Sequence, residues 1–233
     1  MTLIVPAVLP SSRKDLEEKL ALLARIPSVT RIQIDVVDGL FASPASWPYN
    51  APQELQEMAQ KGEMLPHLER ISYEIDLMCF DAERTAETWL ALGASRLTFH
   101  AESNTNLPNV LASSKRHYGH GIISFGCALN IESELALIEQ CLGQIEYVQF
   151  MGIKRIGRQG QPFDRCVLAK IKSFRAQHPE CVVQVDGGVS LENAKELFNL
   201  GVSSLIVGSA ILNANNPAAI FAKFESLQTP YGV

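Results

Sequence analysis

Short apolar runs alternate along the chain with stretches in which apolar residues recur at every third or fourth position. The two patterns repeat at a spacing of about 25 to 30 residues, which is the length of a strand followed by a helix. The apolar runs lie at residues 3–9, 31–36, 71–78, 96–100, 122–129, 147–151, 182–185 and 204–207. Each run predicts a β-strand, so the pattern predicts eight strand-helix units.

The stretches between the predicted strands have the periodicity of amphipathic helices. In the first of them, Leu16 and Leu20 share one face. Stop signals agree with this interpretation, because Gly93 and Gly201 each follow the last periodic residue of a predicted helix, where a left-handed C-cap favours glycine. The predicted helices lie at residues 12–25, 51–61, 81–92, 107–118, 132–142, 162–178, 191–200 and 217–226.

Eight strand-helix units predict a closed parallel barrel. We therefore expect residues 1–233 to form a single α/β domain, a (β/α)8 TIM barrel, and the length of 233 residues suits one such barrel. A doubly wound open sheet is the alternative. That fold usually carries a glycine fingerprint after the first strand, whereas Pro10, Ser11 and Ser12 occupy this place here.

Composition and charge narrow the classes of partner. The formal net charge is -5, which argues against nucleic-acid binding. No apolar run approaches the roughly 20 residues that cross a bilayer, and the first ten residues lack a basic signal-peptide region, so we expect a cytoplasmic protein without a membrane partner. The five cysteines form no C-x-x-C pair, which predicts reduced residues that pack in the core.

Acidic residues recur at the predicted carboxyl ends of strands, where barrels of this type carry their active sites. Asp35, Asp76 and Asp186 lie in or directly after three of the apolar runs, and Gln33 points the same way as Asp35. A buried carboxylate needs a metal, a cation or hydrogen-bond donors. The three aspartates therefore predict a functional cluster, although each one by itself could instead form a structural ion pair.

Two glycine turns predict a phosphate site. Gly187 and Gly188 follow the seventh predicted strand, and Gly208 with Ser209 follows the eighth, where barrels commonly bind phosphate through backbone N–H groups. The loop at residues 152–162 contains Gly157 and Gly160 in addition to its first residue, Gly152. It is predicted to close over the same anion as a mobile lid.

His100 ends the fourth predicted strand. It is either a hydrogen-bonding residue of the pocket or a packing residue with its ring nitrogens satisfied.

Together these residues resemble the ribulose-phosphate 3-epimerase family. The resemblance extends from residue 5 to residue 224 and includes PAVL at 6–9, IDVVDG at 34–39, DLM at 76–78, TFH at 98–100, ALN at 128–130, GRQGQPF at 157–163, VDGGV at 185–189 and GSAI at 208–211. It implies an isomerase that inverts a carbon of a ketose phosphate, such as a pentulose 5-phosphate, through an enediolate. Asp35 and Asp186 match the two aspartates that move the proton, one on each face of the carbon.

The resemblance also implies a divalent metal held by two aspartates and two histidines, but the histidine positions correspond to Gln33 and Asp76. The candidate metal site is therefore Gln33, Asp35, Asp76 and Asp186. An amide and three carboxylates form an all-oxygen set, which predicts magnesium or manganese rather than zinc. The family resemblance further implies a homo-oligomer.

The lid differs from the nearly neutral loop that the resemblance implies. It carries Lys154, Arg155 and Arg158, which either face solvent or pair with a second anionic group of the substrate; Arg155 is the candidate binding residue among them. Ala7 stands where the resemblance implies a serine beside the sugar.

Three functions remain open at this point. The first is an isomerase that transfers protons between Asp35, a ketose phosphate and Asp186. The second is an aldolase or decarboxylase built on a similar barrel, in which the basic lid holds a further anionic group. The third is a non-catalytic paralogue that binds a sugar phosphate.

Overall fold

Eight parallel β-strands close into a barrel in the order of the chain, from β1 next to β2 round to β8 next to β1. The computed structural model describes residues 2–103, 106–118 and 121–227. The strands are β1 (Leu3–Val8), β2 (Arg31–Val37), β3 (Ser72–Met78), β4 (Arg96–His100), β5 (Ser124–Leu129), β6 (Tyr147–Met151), β7 (Val182–Asp186) and β8 (Ser204–Val207). The predicted (β/α)8 barrel is confirmed, and the open sheet is excluded.

Helices connect successive strands. They are α1 (Arg13–Ala24), α2 (Pro52–Gln60), α3 (Ala82–Ala91), α4 (Leu107–Tyr118), α5 (Ala136–Glu139), α6 (Cys166–Gln177), α7 (Leu191–Asn199), α8 (Ser209–Leu212) and α9 (Pro217–Ser226). Gly93 and Gly201 have positive φ angles of 98° and 72°, which confirms both predicted helix ends.

The prediction of a helix over residues 132–142 is wrong. The structure has only the short α5 and a 3₁₀ turn at Leu142–Gln144 in this region. The ammonium group of Lys170 on α6 explains part of the difference, because it donates to the carbonyls of Asn130, Ile131 and Ser133. Because these carbonyls accept hydrogen bonds from a side chain of α6, they do not accept them from backbone N–H groups of a helix, and the loop stays non-helical up to residue 133.

Two other boundaries also differ from the prediction. Helix α6 begins at Cys166 rather than at residue 162, so the lid is longer than expected. The four-residue helix α8 directly follows β8 and was not predicted, because it is too short to show a periodic pattern.

The two faces of the barrel strands differ in polarity. On β2, Ile32, Ile34 and Val36 belong to the large apolar core between barrel and helices. The alternate residues Gln33 and Asp35 are also buried, but they form hydrogen bonds within the barrel. The barrel interior is therefore largely polar, whereas strands of parallel sheets are commonly apolar on both faces.

Hydrogen bonds between strands that are not neighbours in the sheet establish this polar interior. Gln33 on β2 donates to Asp186 on β7, and Thr98 on β4 contacts the hydroxyl of Tyr147 on β6 at 2.8 Å. A small apolar cluster of Val5, Ala7 and Ile206 fills the side of the interior formed by β1 and β8. The hydrophobic contribution to stability therefore comes mainly from the layer between strands and helices.

The expectation about cysteines holds in part. Cys79, Cys127 and Cys141 are buried and free of disulfide bonds, as expected of packing residues. Cys166, at the start of α6, is exposed, so the packing interpretation is wrong for that residue.

Every helix within residues 2–103, 106–118 and 121–227 falls short of the length and apolar character that a bilayer crossing requires.

Gly126 on β5 provides the space that the ring of Tyr147 occupies on β6. A Cβ atom at position 126 would overlap this ring, and Tyr147 is held in place by Thr98 and by the guanidinium of Arg96, which lies 3.9 Å from the ring centre. We predict that Gly126→Ala lowers the free energy of unfolding by about 1–3 kcal/mol, because the packed interior cannot absorb the added methyl group.

Urea denaturation measures this loss. Gly143→Ala is the matched control, since a Cβ atom at position 143 meets no atom within 4 Å. Equal stability of the two variants would contradict the explanation from packing.

Candidate functional site

Three buried carboxylates meet at the carboxyl end of the barrel. One oxygen from each of Asp35, Asp76 and Asp186 lies within 4.8 Å of the others. Parallel pairing places Asp35 on β2 beside Asp76 on β3, and the closure of the barrel brings Asp186 at the end of β7 to the same point. The sequence-based expectation that these three side chains converge is correct.

A cavity of about 50 Å³ opens at this end of the barrel. Asp35 and Asp186 line it, whereas Asp76 is fully buried behind them. Met78, Met151 and Ile206 supply apolar walls. A ligand in this cavity would therefore contact two of the three aspartates directly.

Gln33 connects the two aspartates that line the cavity. Its Nε2 donates to Asp35 Oδ1 and to Asp186 Oδ2, both at 2.8 Å. Its Oε1 is buried and has no hydrogen-bond partner. The amide thus holds the two carboxylates at a fixed separation and partly compensates their charges.

The third carboxylate is held by residues from β4 and β6. His100 Nε2 lies 2.9 Å from Asp76 Oδ1, and Gln149 Nε2 donates to Asp76 Oδ2 at 3.0 Å. Gln149 also has a longer contact of 3.5 Å to Asp186 Oδ2. His100 is completely buried and packs against the ring of Phe41, so it supports Asp76 and does not line the cavity.

A second polar layer lies below the carboxylates. Gln184 Nε2 donates to Gln149 Oε1 at 2.7 Å and also to Glu74. Glu74 forms an ion pair with Arg96, with Nε and Oε2 2.9 Å apart. Hydrogen bonds therefore continue from this ion pair through Gln184 and Gln149 to the carboxylate cluster.

Sequence reasoning missed Gln149 and Gln184 as site residues. A signal was present, because Gln184 is two positions before Asp186 and Gln149 is two positions before Met151. Side chains two apart on a strand share a face. Without the barrel closure, however, nothing in the chain relates β6 to Asp76 on β3.

Burial and mutual repulsion raise the pKa values of both aspartates that line the cavity. For Asp35, burial has the largest effect, and the charges of Asp186 and Asp76 add to it, so the pKa lies well above the usual value of 3.8. For Asp186, burial followed by the charge of Asp76 raises the pKa to about 7, although the hydrogen bond from Gln33 acts in the opposite direction. Near neutral pH the pair can hold one carboxylic acid and one carboxylate.

The same residues fit a divalent cation with oxygen ligands. Three carboxylates supply anionic oxygens, and the unpartnered Oε1 of Gln33 would face them after a rotation that exchanges the amide oxygen and nitrogen. A cation would also relieve the repulsion that raises the pKa values. The donor set therefore agrees with hard cations that prefer oxygen.

The glycine turns lie on the same cavity. Gly187 and Gly188, with φ angles of 97° and 68°, follow β7, and Gly208 and Ser209 follow β8. A Cβ atom at Gly188 would come within 2.6 Å of the backbone of Phe163. Glycine is required here because the lid backbone packs directly on the turn.

The lid passes over the mouth of the barrel and is tied to strand β1 and to the loop after β2. Arg158 Nε donates to the carbonyl of Ser43 at 2.9 Å, and Gln159 Nε2 donates to the carbonyl of Ala7 at 3.1 Å. Ile156 packs against a cluster that includes Val37. The structure therefore shows the lid in contact with β1 and with the loop after β2.

The basic residues of the lid are divided between two sites. Arg158 lines the cavity that contains the aspartates. Lys154 and Arg155 line a separate cleft of about 380 Å³, the outer cleft, together with Arg165. Gln161 lines both the cavity and this cleft. The structure thus does not bring Arg155 to the carboxylates, because the lid turns between positions 155 and 158.

The other sequence-predicted residues lie as follows. Asp35 and Asp186 line the cavity, and Gln33, Asp76 and His100 lie behind it. The remaining candidates, which the sequence assigned to phosphate, all line the same cavity and are Gly157, Gly160, Gly187, Gly188, Gly208 and Ser209.

Comparison with known proteins identifies relatives over almost the whole chain. The sequence model of the ribulose-phosphate 3 epimerase family matches residues 3–212. The ribulose-phosphate 3-epimerase of Aquifex aeolicus is 26% identical over 234 residues, which cover 97% of each chain. That of Schizosaccharomyces pombe is 23% identical over 219 residues, which cover 94% of this chain and 90% of the relative.

Solved structures share the fold at low sequence identity. KGPDC from Streptococcus mutans has a TM-score of 0.70 at 16% identity, with 98% of this chain and 97% of the other covered. The 3-hexulose-6-phosphate synthase from Salmonella typhimurium has a TM-score of 0.69 at 15% identity, with 97% of this chain and 98% of the other covered. At these identities the likeness concerns the barrel fold alone.

The raised pKa of Asp186 predicts a pH-dependent stability. The unfolded chain ionises this group near pH 3.8, whereas the folded protein retains the proton up to about pH 7. The stabilising contribution of the proton is complete below pH 3.8 and is lost as the pH rises through 7. The free energy of unfolding of Asp186→Asn minus that of the wild type should therefore be about 2–3 kcal/mol larger at pH 8 than at pH 5.

Urea denaturation at the two pH values, with a chelator present, measures this difference. Asp164→Asn serves as the control, because the backbone N–H of Cys166 lowers the pKa of Asp164 and keeps that group ionised at both pH values. A wild type and an Asp186→Asn variant that respond identically to pH would refute the assignment.

Proposed function

The chain belongs to the ribulose-phosphate 3-epimerase family, and from this premise we propose that it epimerises a ketose phosphate at the carbon next to the carbonyl group. One observation carries the proposal: Asp35 and Asp186 line the same cavity as the turns Gly187-Gly188 and Gly208-Ser209. Two acid–base groups and an anion-binding wall are thus available to one small phosphorylated ligand.

Inversion requires a proton to leave one face of the carbon and another to arrive at the opposite face. Asp35 and Asp186 come from β2 and β7, which are not neighbours in the barrel, and Gln33 lies between their carboxylates. The raised pKa values allow one member of the pair to be protonated while the other is ionised. In the proposed reaction the ionised member accepts the proton and the protonated member donates one.

Removal of the proton leaves negative charge on the former carbonyl oxygen. A divalent cation bound by Asp35, Asp76, Asp186 and the amide oxygen of Gln33 would supply the positive charge that stabilises this oxygen. His100 and Gln149 keep Asp76 oriented from behind. The all-oxygen donor set supports magnesium or manganese rather than zinc.

The phosphate is proposed to bind at the glycine turns, away from the aspartates. Backbone N–H groups at such turns suit an anion, and the lid limits access of water to the cavity. Ala7 lines the same cavity and provides no hydroxyl group, so the wall at this position offers the ligand no side-chain hydrogen bond.

The cytoplasmic location and the homo-oligomeric state stay proposals. The first rests on the lack of an apolar run long enough to cross a bilayer, and the second rests on the family resemblance. Sedimentation analysis of the purified chain measures the second.

We predict that Asp35→Asn and Asp186→Asn each lower the turnover of ribulose 5-phosphate by about 10²–10⁴-fold, because an amide cannot exchange the proton that inversion requires. The measurement is incorporation of solvent deuterium at the inverted carbon, followed by NMR in D2O with magnesium or manganese present. Asp164→Asn is the control, since Asp164 lies on the lid and lines the outer cleft.

Three outcomes would contradict the epimerase proposal. If no pentulose or hexulose phosphate that is tested incorporates solvent deuterium, the epimerase proposal is refuted. Carbon–carbon cleavage products would indicate an aldolase or decarboxylase instead. Tight binding of a sugar phosphate without any turnover would indicate the binding paralogue.

We predict further that manganese binds to the carboxylate cluster and that Asp76→Asn weakens this binding by about 10-fold or more, because one of three anionic ligands is lost. Isothermal titration calorimetry measures the affinity without reference to activity, and Asp164→Asn is again the control. Preferential binding of zinc, or equal manganese affinity in the wild type and Asp76→Asn, would contradict the assigned ligand set.

A further inference from the structure

The cavity that would receive a phosphorylated ligand is lined by two acidic residues, Asp35 and Asp186. A phosphate dianion is repelled by these carboxylates when they are ionised, and the turns after β7 and β8 contain no positively charged side chain that would oppose this repulsion. Among the described residues that line the cavity, Arg158 alone carries a positive charge at neutral pH. We propose that Arg158 is the side chain that binds the phosphate group of the substrate, a role that rests on the proposed function for the identity of the substrate.

The local backbone places Arg158 at the rim. Gly157 precedes it with a φ angle of 81°, and a Cβ atom at this glycine would lie 3.0 Å from Ala42 Cβ and 3.2 Å from Val37 Cγ1. The lid backbone therefore lies directly on the loop after β2. This close approach brings the side chain of Arg158 to the carbonyl of Ser43 in the same loop.

One edge of the guanidinium is fixed and the other is available. Nε donates to the carbonyl of Ser43 at 2.9 Å, and within the described residues the two Nη groups of Arg158 have no hydrogen bond and no carboxylate partner. An arginine oriented in this way presents two parallel N–H donors, which match two oxygens of a phosphate group. The anchored Nε reduces the conformational entropy that the side chain loses when the ligand binds.

The residue that follows Arg158 fixes the loop from the other side. Gln159 Nε2 donates to the carbonyl of Ala7, and this amide lies next to Gly208, where a Cβ atom would be 2.7 Å from it. Arg158 is thus held between the loop after β2 and the turn after β8. Arg158 and the glycine turns line one cavity.

Arg155 provides a matched comparison on the same lid. It is exposed, as Arg158 is, and within the described residues it has neither an ion pair nor a side-chain hydrogen bond. It lines the outer cleft rather than the cavity with the aspartates. Replacing either arginine removes the same charge from the same loop. A difference in ligand affinity between the two variants therefore shows that the position of the charge matters, and not the charge of the lid as a whole.

The experiment compares Arg158→Gln, Arg158→Lys and Arg155→Gln at one ionic strength. Calorimetry gives the Kd of inorganic phosphate and of ribulose 5-phosphate, and steady-state kinetics gives KM and kcat separately. We expect Arg158→Gln to raise both Kd values and KM by about 10-fold or more, with kcat changed less than about threefold, because the contact is the same in the ground and transition states. Arg158→Lys should recover part of the loss, and Arg155→Gln should stay within about twofold of the wild type.

Three results would overturn the assignment. If Arg158→Gln binds both phosphate compounds with the affinity of the wild type, Arg158 does not contact the phosphate group. An equal loss in Arg158→Gln and Arg155→Gln would show a general effect of lid charge, and a loss in Arg155→Gln alone would place the anion in the outer cleft. Thermal melting curves confirm that the variants are folded.

Failure of the proposed function is distinguishable from failure of this assignment. An inactive wild type that still binds phosphate through Arg158 would refute epimerisation only. A wild type that binds neither phosphate compound would refute the role of Arg158.

Discussion

Three carboxylates buried within 4.8 Å of one another are the constraint on which the rest of the barrel depends. Ionised carboxylates at this distance repel strongly, and burial removes the water that would otherwise stabilise them. The interior supplies hydrogen-bond donors in place of water, since Gln33 connects Asp35 and Asp186 while Gln149 reaches Asp76. Burial, together with this repulsion, raises the pKa values of Asp35 and Asp186, which suits the pair to acid–base chemistry.

The different composition of the two strand faces follows from this constraint. The outward residues pack in an apolar layer under the helices, so the interior is free to carry amides, acids and an ion pair between Glu74 and Arg96. Polar groups in the interior obtain partners from other strands, as Gln184 does from Gln149. Stability and chemistry are therefore supplied by opposite faces of the same eight strands.

How far the site could be predicted depended on the kind of residue. Asp35, Asp76 and Asp186 were identifiable because an acidic residue in an apolar run is unusual and because strand ends converge in a barrel. Gln149 and Gln184 were not, since a glutamine in a strand carries no comparable signal. The sequence analysis chose Arg155 as the binding residue of the lid, whereas Arg158 lines the cavity with the aspartates. Both are basic residues on one glycine-containing loop, and the positive φ angle at Gly157 that separates their surroundings is a property of the folded chain.

The amino-acid sequence by itself determined the number and order of the strands, because hydrophobic periodicity is a local property that is present in every part of the chain. It also determined which acids meet, since parallel strands of a closed barrel present their carboxyl ends to a common mouth. Only the tertiary structure decided which partner each polar side chain has and which cavity each lid residue faces. Those outcomes depend on contacts between residues far apart in the chain, such as Gln33 with Asp186 and Arg158 with Ser43, and no local pattern encodes these distances.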